Sequence, residues 1–73
     1  MNEMSAAYTK EQTLNTIREA REIFQNKNTS FEKYQLMEKG LAFAYLYCPE
    51  ELMELVEATL NEAVVRKLYL HNE

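Results

Sequence analysis

Residues 40–49, with the sequence GLAFAYLYCP, form the longest stretch of this chain without a charged side chain. The stretch is about half as long as a membrane-spanning helix requires. We therefore expect it to be buried by other parts of a protein and not by a lipid bilayer. Projected as a helix at about 100° per residue, the segment around it carries apolar side chains on two sides. The chain must therefore cover more apolar surface here than a helix with a single apolar side would present.

The two sides of this helix, helix 2, differ in size. The larger side gathers six residues: Tyr34, Met37, Leu41, Ala44, Tyr45 and Cys48. Nearly opposite lie Leu36, Phe43 and Tyr47. A helix in a small bundle needs only one apolar side. The pattern thus predicts a central helix 2 with two apolar faces.

The length of 73 residues limits how such a surface can be covered. A domain of this size buries only about 60% of the surface that its unfolded chain exposes, so its core is marginal. The lone Cys48 allows no internal disulfide, and with the single His71 it provides too few ligands for a structural zinc site. Regular helix packing and self-association remain as sources of stability.

Capping signals and apolar spacing predict the first helix over residues 10–25. Thr9 and Gln12 match the capping box, in which each side chain binds the other residue's backbone N–H. One apolar stripe follows at steps of three and four residues, formed by Leu14, Ile17, Ala20 and Phe24.

Similar signals predict two further helices, over residues 30–47 and 49–69. Thr29 and Glu32 form a second capping box, and the apolar period continues through Gly40, so we predict one continuous helix 2. Pro49 disfavours the helical conformation at the residue before it and tolerates the first position of a new helix. Helix 3 has apolar positions at Leu52, Leu55, Val56, Leu60, Ala63 and Val64.

These elements predict an all-α fold, a small three-helix bundle. We expect residues 9–73 to form a single domain and residues 1–8 to form a flexible N-terminal tail. No secretory signal is visible at the N-terminus, so we expect a cytoplasmic protein.

Charge and motifs disfavour several classes of function. The net charge of −4 argues against nucleic acid as a partner, since such proteins usually carry a positive excess. The chain has no glycine-rich phosphate loop, no GxSxG motif and no HExxH motif. We interpret His71 as a surface residue and Cys48 as a buried structural one. The sequence therefore predicts no enzyme, no catalytic or metal-binding residue, no cofactor and no small-molecule substrate.

Leu36, Phe43 and Tyr47 are the first candidate partner-binding residues. Helices 1 and 3 must also contact each other, which draws both to the same side of helix 2 and leaves this face uncovered. It could bury on the order of 400 Å². We expect a partner to cover it, and we favour a homodimer through helix 2. The alternative is that the three side chains are internal core or scattered surface residues.

Glu50, Glu54 and Glu57 are the second candidate, because they would share one side of a helix at steps of four and three residues. The ordinary interpretation is a solvated helix side, with carboxylates well placed near the helix N-terminus. The functional interpretation is an acidic ridge that docks on a basic partner surface. Glu62 and Arg66, four residues apart, are expected to pair with each other.

The function that these features favour is that of a small protein-protein interaction module that modulates or inhibits a larger protein. The alternative is a small helical transcriptional regulator associated with nucleic acid. In that case Arg18, Arg21 and Lys27, duplicated in a dimer, would have to outweigh the acidic remainder of the chain.

Overall fold

The computed structural model describes residues 8–71, with side chains as far as Tyr69. Its elements are α1 (Lys10–Gln25), α2 (Phe31–Tyr47) and α3 (Met53–His71), with a 3₁₀ turn (Glu50–Leu52) before α3. The predicted three-helix bundle is confirmed, and each helix contacts the other two. Most of the predicted tail, residues 1–7, and the side chain of His71 lie outside the described residues.

α1 begins with the predicted capping box. The Thr9 hydroxyl accepts a hydrogen bond from the Gln12 N–H, and the Gln12 side chain accepts one from the Thr9 N–H, both at 3.0 Å. The buried side contains three of the four predicted stripe residues, Ile17, Ala20 and Phe24. The fourth, Leu14, is 38% exposed, whereas Thr13 beside it is fully buried. Thr13 tolerates burial because its hydroxyl donates to the Thr9 carbonyl at 2.8 Å.

α2 starts one residue later than its predicted capping box requires. The N-cap is Ser30, whose hydroxyl accepts from the Lys33 N–H at 3.1 Å. The adjacent Thr29 hydroxyl instead donates to the carbonyl oxygen of Ile23, near the end of α1, at 2.7 Å. The box between Thr29 and Glu32 therefore does not form, because Thr29 caps the preceding helix.

The middle and the end of α2 follow the sequence prediction. The helix runs through Gly40 without interruption, and no described residue has a positive φ. It ends at Tyr47, and Cys48 is extended, with φ −83° and ψ 165°. This is the conformation that the ring of Pro49 imposes on the residue before it.

The predicted start of helix 3 at Pro49 is wrong. Pro49 has φ −58° but an extended ψ of 143°, so it precedes a helical turn instead of opening an α-helix. Its carbonyl oxygen accepts from the Leu52 N–H at 2.9 Å, which closes the 3₁₀ turn. Regular α-helix begins at Met53, where the backbone is αR.

The short connections make successive helices antiparallel, and their inner sides form one core. Phe24 of α1 contacts Tyr34 of α2, with ring centroids 4.6 Å apart. The Tyr34 hydroxyl donates to the carbonyl oxygen of Ala63 in α3 at 2.6 Å. On the α2–α3 side, Lys67 Nζ forms a 2.8 Å ion pair with Glu38. These contacts join all three helices where α1 ends and α2 begins.

None of the helices in residues 8–71 combines the length and apolar character needed to cross a membrane.

Candidate interaction surfaces

The outer side of α2 carries the first predicted set of residues. Leu36 is 67% exposed, Phe43 is 56% exposed and Tyr47 is 37% exposed. The rings of Phe43 and Tyr47 contact each other with centroids 4.9 Å apart. Leu36, Phe43 and Tyr47 thus share one exposed side of the helix, which we call the aromatic face.

The opposite side of α2 is covered by α1 and α3. Tyr34, Leu41 and Ala44 are at most 1% exposed, so the larger apolar side is the core side. This division disagrees with the alternative in which the aromatic face is internal core. Leu46, beside the aromatic face, is also 67% exposed and widens the apolar surface.

Small and charged residues border the aromatic face. On the helical projection Gly40 lies next to Leu36, and a methyl group added there would meet only the Met37 Cε atom, at 3.8 Å. Lys33 and Lys39 are exposed and lie toward opposite edges of the face. Exposed Glu32, one turn before Leu36, borders the face as well, so the border is shallow at its middle and mixed in charge.

The acidic ridge is less regular than its sequence spacing predicts. Glu50, Glu54 and Glu57 are all exposed, but Glu50 belongs to the 3₁₀ turn. A 3₁₀ turn rotates about 120° per residue instead of 100°, which moves Glu50 roughly 60° away from the line of the other two. The neighbouring Glu51 pairs with Lys10 of α1 at 2.6 Å, a contact that sequence spacing gives no means of finding. Glu54 and Glu57 therefore make up the regular part of the ridge.

Cys48 lies in the core, and burial raises the pKa of its thiol. Its Sγ atom is 3.8 Å from the Tyr45 carbonyl oxygen. A buried thiol with a raised pKa has little thiolate at neutral pH, which fits the structural role expected from the sequence. Among residues 8–71, no three His, Cys, Asp or Glu side chains come together as a metal site would require.

A second exposed apolar surface lies on α3, and the sequence analysis missed it. Val65, Leu68 and Tyr69 are 53%, 59% and 81% exposed. Leu55 and Val64, both predicted as core positions, are 36% and 45% exposed. The available signal was a second series at steps of three and four residues, Ala58, Asn61, Val65 and Leu68. We call these four residues the α3 seam.

The basic residues of α1 do not form a purely basic surface. Arg18 and Arg21 line a groove between α1 and α3 together with apolar Leu14 and Leu55 and acidic Glu22. Arg18 donates a hydrogen bond to Asn15 at 2.9 Å. The groove is therefore mixed in character.

Comparison of the chain with known protein families, with characterised proteins and with solved structures finds no significant match.

Proposed function

We propose that this protein is a non-catalytic interaction module of the cytoplasm that modulates or inhibits a larger protein by binding it through the aromatic face. The observation that carries the proposal is the contrast between the two sides of α2. Leu36 and Phe43 are more than half exposed, while Leu41 on the other side is fully buried. An apolar surface that the chain leaves in water favours association, because burying it removes apolar area from water.

The size of the aromatic face supports a transient complex. With Leu46, it exposes on the order of 400 Å² of side-chain surface, about half of the ~800 Å² that each partner buries in a standard interface. Interfaces at the small end of the range belong mostly to weak, reversible encounters. Reversible binding suits a protein that modulates another.

The charges around the face are mixed, with Lys33 and Lys39 at its two edges and Glu32 one turn before Leu36. The apolar side chains fit the apolar stripe of an amphipathic helix, whose flanking residues would then carry acidic groups beside the lysines and a basic group beside Glu32. The acidic ridge of Glu54 and Glu57, with Glu50 nearby, would instead favour a basic patch of the same larger protein. Because Glu54 and Glu57 lie on the same side of α3 as the α3 seam, the ridge would be open to the partner only while the seam is not covered.

The test compares matched variants as immobilised bait in a lysate of the producing organism. Phe43→Ser removes an exposed ring from the aromatic face, and Leu68→Ser removes an equally exposed apolar side chain elsewhere, at 59% against 56% exposure. We expect one protein to be retained by wild type and by Leu68→Ser but lost by Phe43→Ser. Titration of that purified protein should show at least about a tenfold weaker affinity for Phe43→Ser.

Two outcomes would contradict the proposal. One is equal retention of every captured protein by wild type and Phe43→Ser, with helicity unchanged by circular dichroism. The other is tight binding of duplex DNA or RNA in a gel shift, which would favour the nucleic-acid-associated regulator instead.

A further inference from the structure

We infer that a second copy of this chain docks antiparallel on the α3 seam, which leaves the aromatic face of α2 free for the partner in the proposed function. The inference places the homodimer on α3 instead of α2. It rests on the shape and charge of the outer side of α3 and does not depend on the proposed function.

The seam lies opposite the buried side of α3, where Val56 and Ala63 are fully buried. Its members follow one another at steps of three, four and three residues, the alternation found where two helices pair along their length. Val65 and Leu68 supply the exposed apolar side chains of the seam, and Tyr69 lies beside them. Because α1 and α2 cover the other side, a helix approaching the seam meets no obstacle from them.

The distribution of large and small side chains favours an antiparallel partner. Ala58, at one end of the seam, borders an open depression that also includes Val65 and Tyr69. Leu68, at the other end, projects into solvent. An antiparallel copy places its Leu68 above Ala58, twice by symmetry. A parallel copy would set alanine against alanine and leucine against leucine.

The charges beside the seam are also self-complementary. Glu62 is exposed and Arg66 is partly exposed, and both border the same depression. The ion pair predicted between them is absent, since the two salt bridges found in the described region are Lys10–Glu51 and Lys67–Glu38. A twofold axis near the level of residue 63 brings Glu62 of each copy beside Arg66 of the other. A parallel arrangement would set Glu57 beside Glu62.

The aromatic face lacks this symmetry. An antiparallel copy that matched Leu36 with Phe43 would bring Lys39 of one chain beside Lys39 of the other, and like charges oppose association. The aromatic face is therefore better suited to a different protein, and the α3 seam to a second copy.

The available area fits a reversible dimer. Val64, Val65, Leu68 and Tyr69 together expose on the order of 400 Å² of apolar side chain per copy. Contacts of Asn61, Glu62 and Arg66 would raise the buried area toward the ~800 Å² per partner of a standard interface.

The test is a charge-reversal cycle followed by sedimentation over a range of concentrations. Glu62→Arg and Arg66→Glu should each weaken the dimer by about tenfold or more, because each turns a complementary pair into a like-charged one. The double variant Glu62→Arg with Arg66→Glu should regain most of the wild-type affinity, because the pairs are restored in reverse. Unchanged helicity by circular dichroism shows that each variant is folded.

A monomeric wild type at millimolar concentration would overturn the inference, as would single reversals that leave the dimer unchanged. Phe43→Ser should leave the dimer intact. If it abolishes the dimer, the second copy sits on α2 and the inference is wrong. The proposed function would still be judged separately, by the bait experiment.

Disulfide trapping tests the orientation. Chains carrying Ala58→Cys and chains carrying Leu68→Cys should form a mixed disulfide dimer when oxidised together, while native Cys48 stays buried in both. Efficient linking of Ala58→Cys to itself would indicate a parallel pair and contradict the arrangement.

Discussion

α1 and α2 pack into the same core but present different surfaces to water. The outer side of α1 is polar, with exposed Asn15, Arg18 and Glu22. The outer side of α2 exposes Leu36 and Phe43. Both helices begin with a capping hydroxyl and bury one apolar side, so their roles in the fold are alike. This difference in the exposed side chains is the basis of our proposal that another protein covers α2.

Removing one phenylalanine from each helix should give the largest difference in stability between α1 and α2. Phe24→Ala should destabilise the domain by about 3–5 kcal/mol, because Phe24 is 3% exposed and contacts Tyr34. This loss is comparable to the whole stability of a small domain. Phe43→Ala should cost less than about 1 kcal/mol, since little burial is lost. Urea denaturation measures both, and equal losses would show that the aromatic face supports the fold.

Two of the three tyrosines of α2, Tyr34 and Tyr47, offer a subtler contrast. Tyr34→Phe should cost about 1 kcal/mol, because the inner hydroxyl donates to the Ala63 carbonyl at 2.6 Å. Tyr47→Phe on the outer side should leave the unfolding free energy nearly unchanged. The same urea titration compares them, and a larger loss for Tyr47→Phe would reverse the assignment of inner and outer sides.

Gly40→Ala should stabilise the isolated domain by up to about 1 kcal/mol, because alanine is the better helix former and the added methyl meets only Met37 Cε, at 3.8 Å. Ala44→Gly, on the buried side of the same helix, is the control and should destabilise. If partner binding through the aromatic face requires close approach at Gly40, the same substitution will weaken it. A destabilising Gly40→Ala would mean that α2 has less room there than the structure shows.

The smallest expected effect is a loss of stability at alkaline pH. Its cause is the ionisation of two buried groups on the inner side of α2. Burial raises the pKa of Cys48, and burial together with the Glu38 carboxylate raises the pKa of Tyr34. The unfolded chain therefore releases these protons first, so their contribution to stability is complete below the ordinary thiol pKa of about 8.5 and is lost as the pH rises above it. Urea midpoints at neutral pH and at about pH 9.5 should show the fall, and Cys48→Ser should reduce it.

Much of the fold follows from local signals that act within a few residues. The capping box at Thr9, the continuity of α2 through Gly40 and its end before Pro49 all depend on neighbouring side chains and ring geometry. Such signals can be interpreted without knowing what lies across the bundle.

The structure differs from the sequence prediction where two neighbouring residues can fill the same role, or where a residue distant in sequence determines the local conformation. Thr29 and Ser30 are both capable N-caps, and the contact of Thr29 with Ile23 in α1 leaves Ser30 to cap α2. Pro49 permits either an α-helical or an extended ψ. Its ψ is extended in the structure, where its carbonyl oxygen accepts from the Leu52 N–H and closes the 3₁₀ turn.

The aromatic face was predicted because a charge-free segment is conspicuous, and its side chains are exposed as the partner hypothesis requires. The α3 seam was missed because its apolar residues alternate with core residues of the same helix. Val64 and Val65 are adjacent in sequence and both half exposed, so spacing alone did not separate core from surface.

The backbone N–H of Tyr8 donates to the carbonyl oxygen of Tyr47 at 3.2 Å, so the chain enters α1 beside one end of the aromatic face. An affinity tag or fusion partner joined directly before Tyr8 would start beside that surface and compete for space with whatever binds there. Carrier domains for capture experiments should therefore be attached away from this point, and a fusion placed directly before Tyr8 offers a simple means of blocking the face.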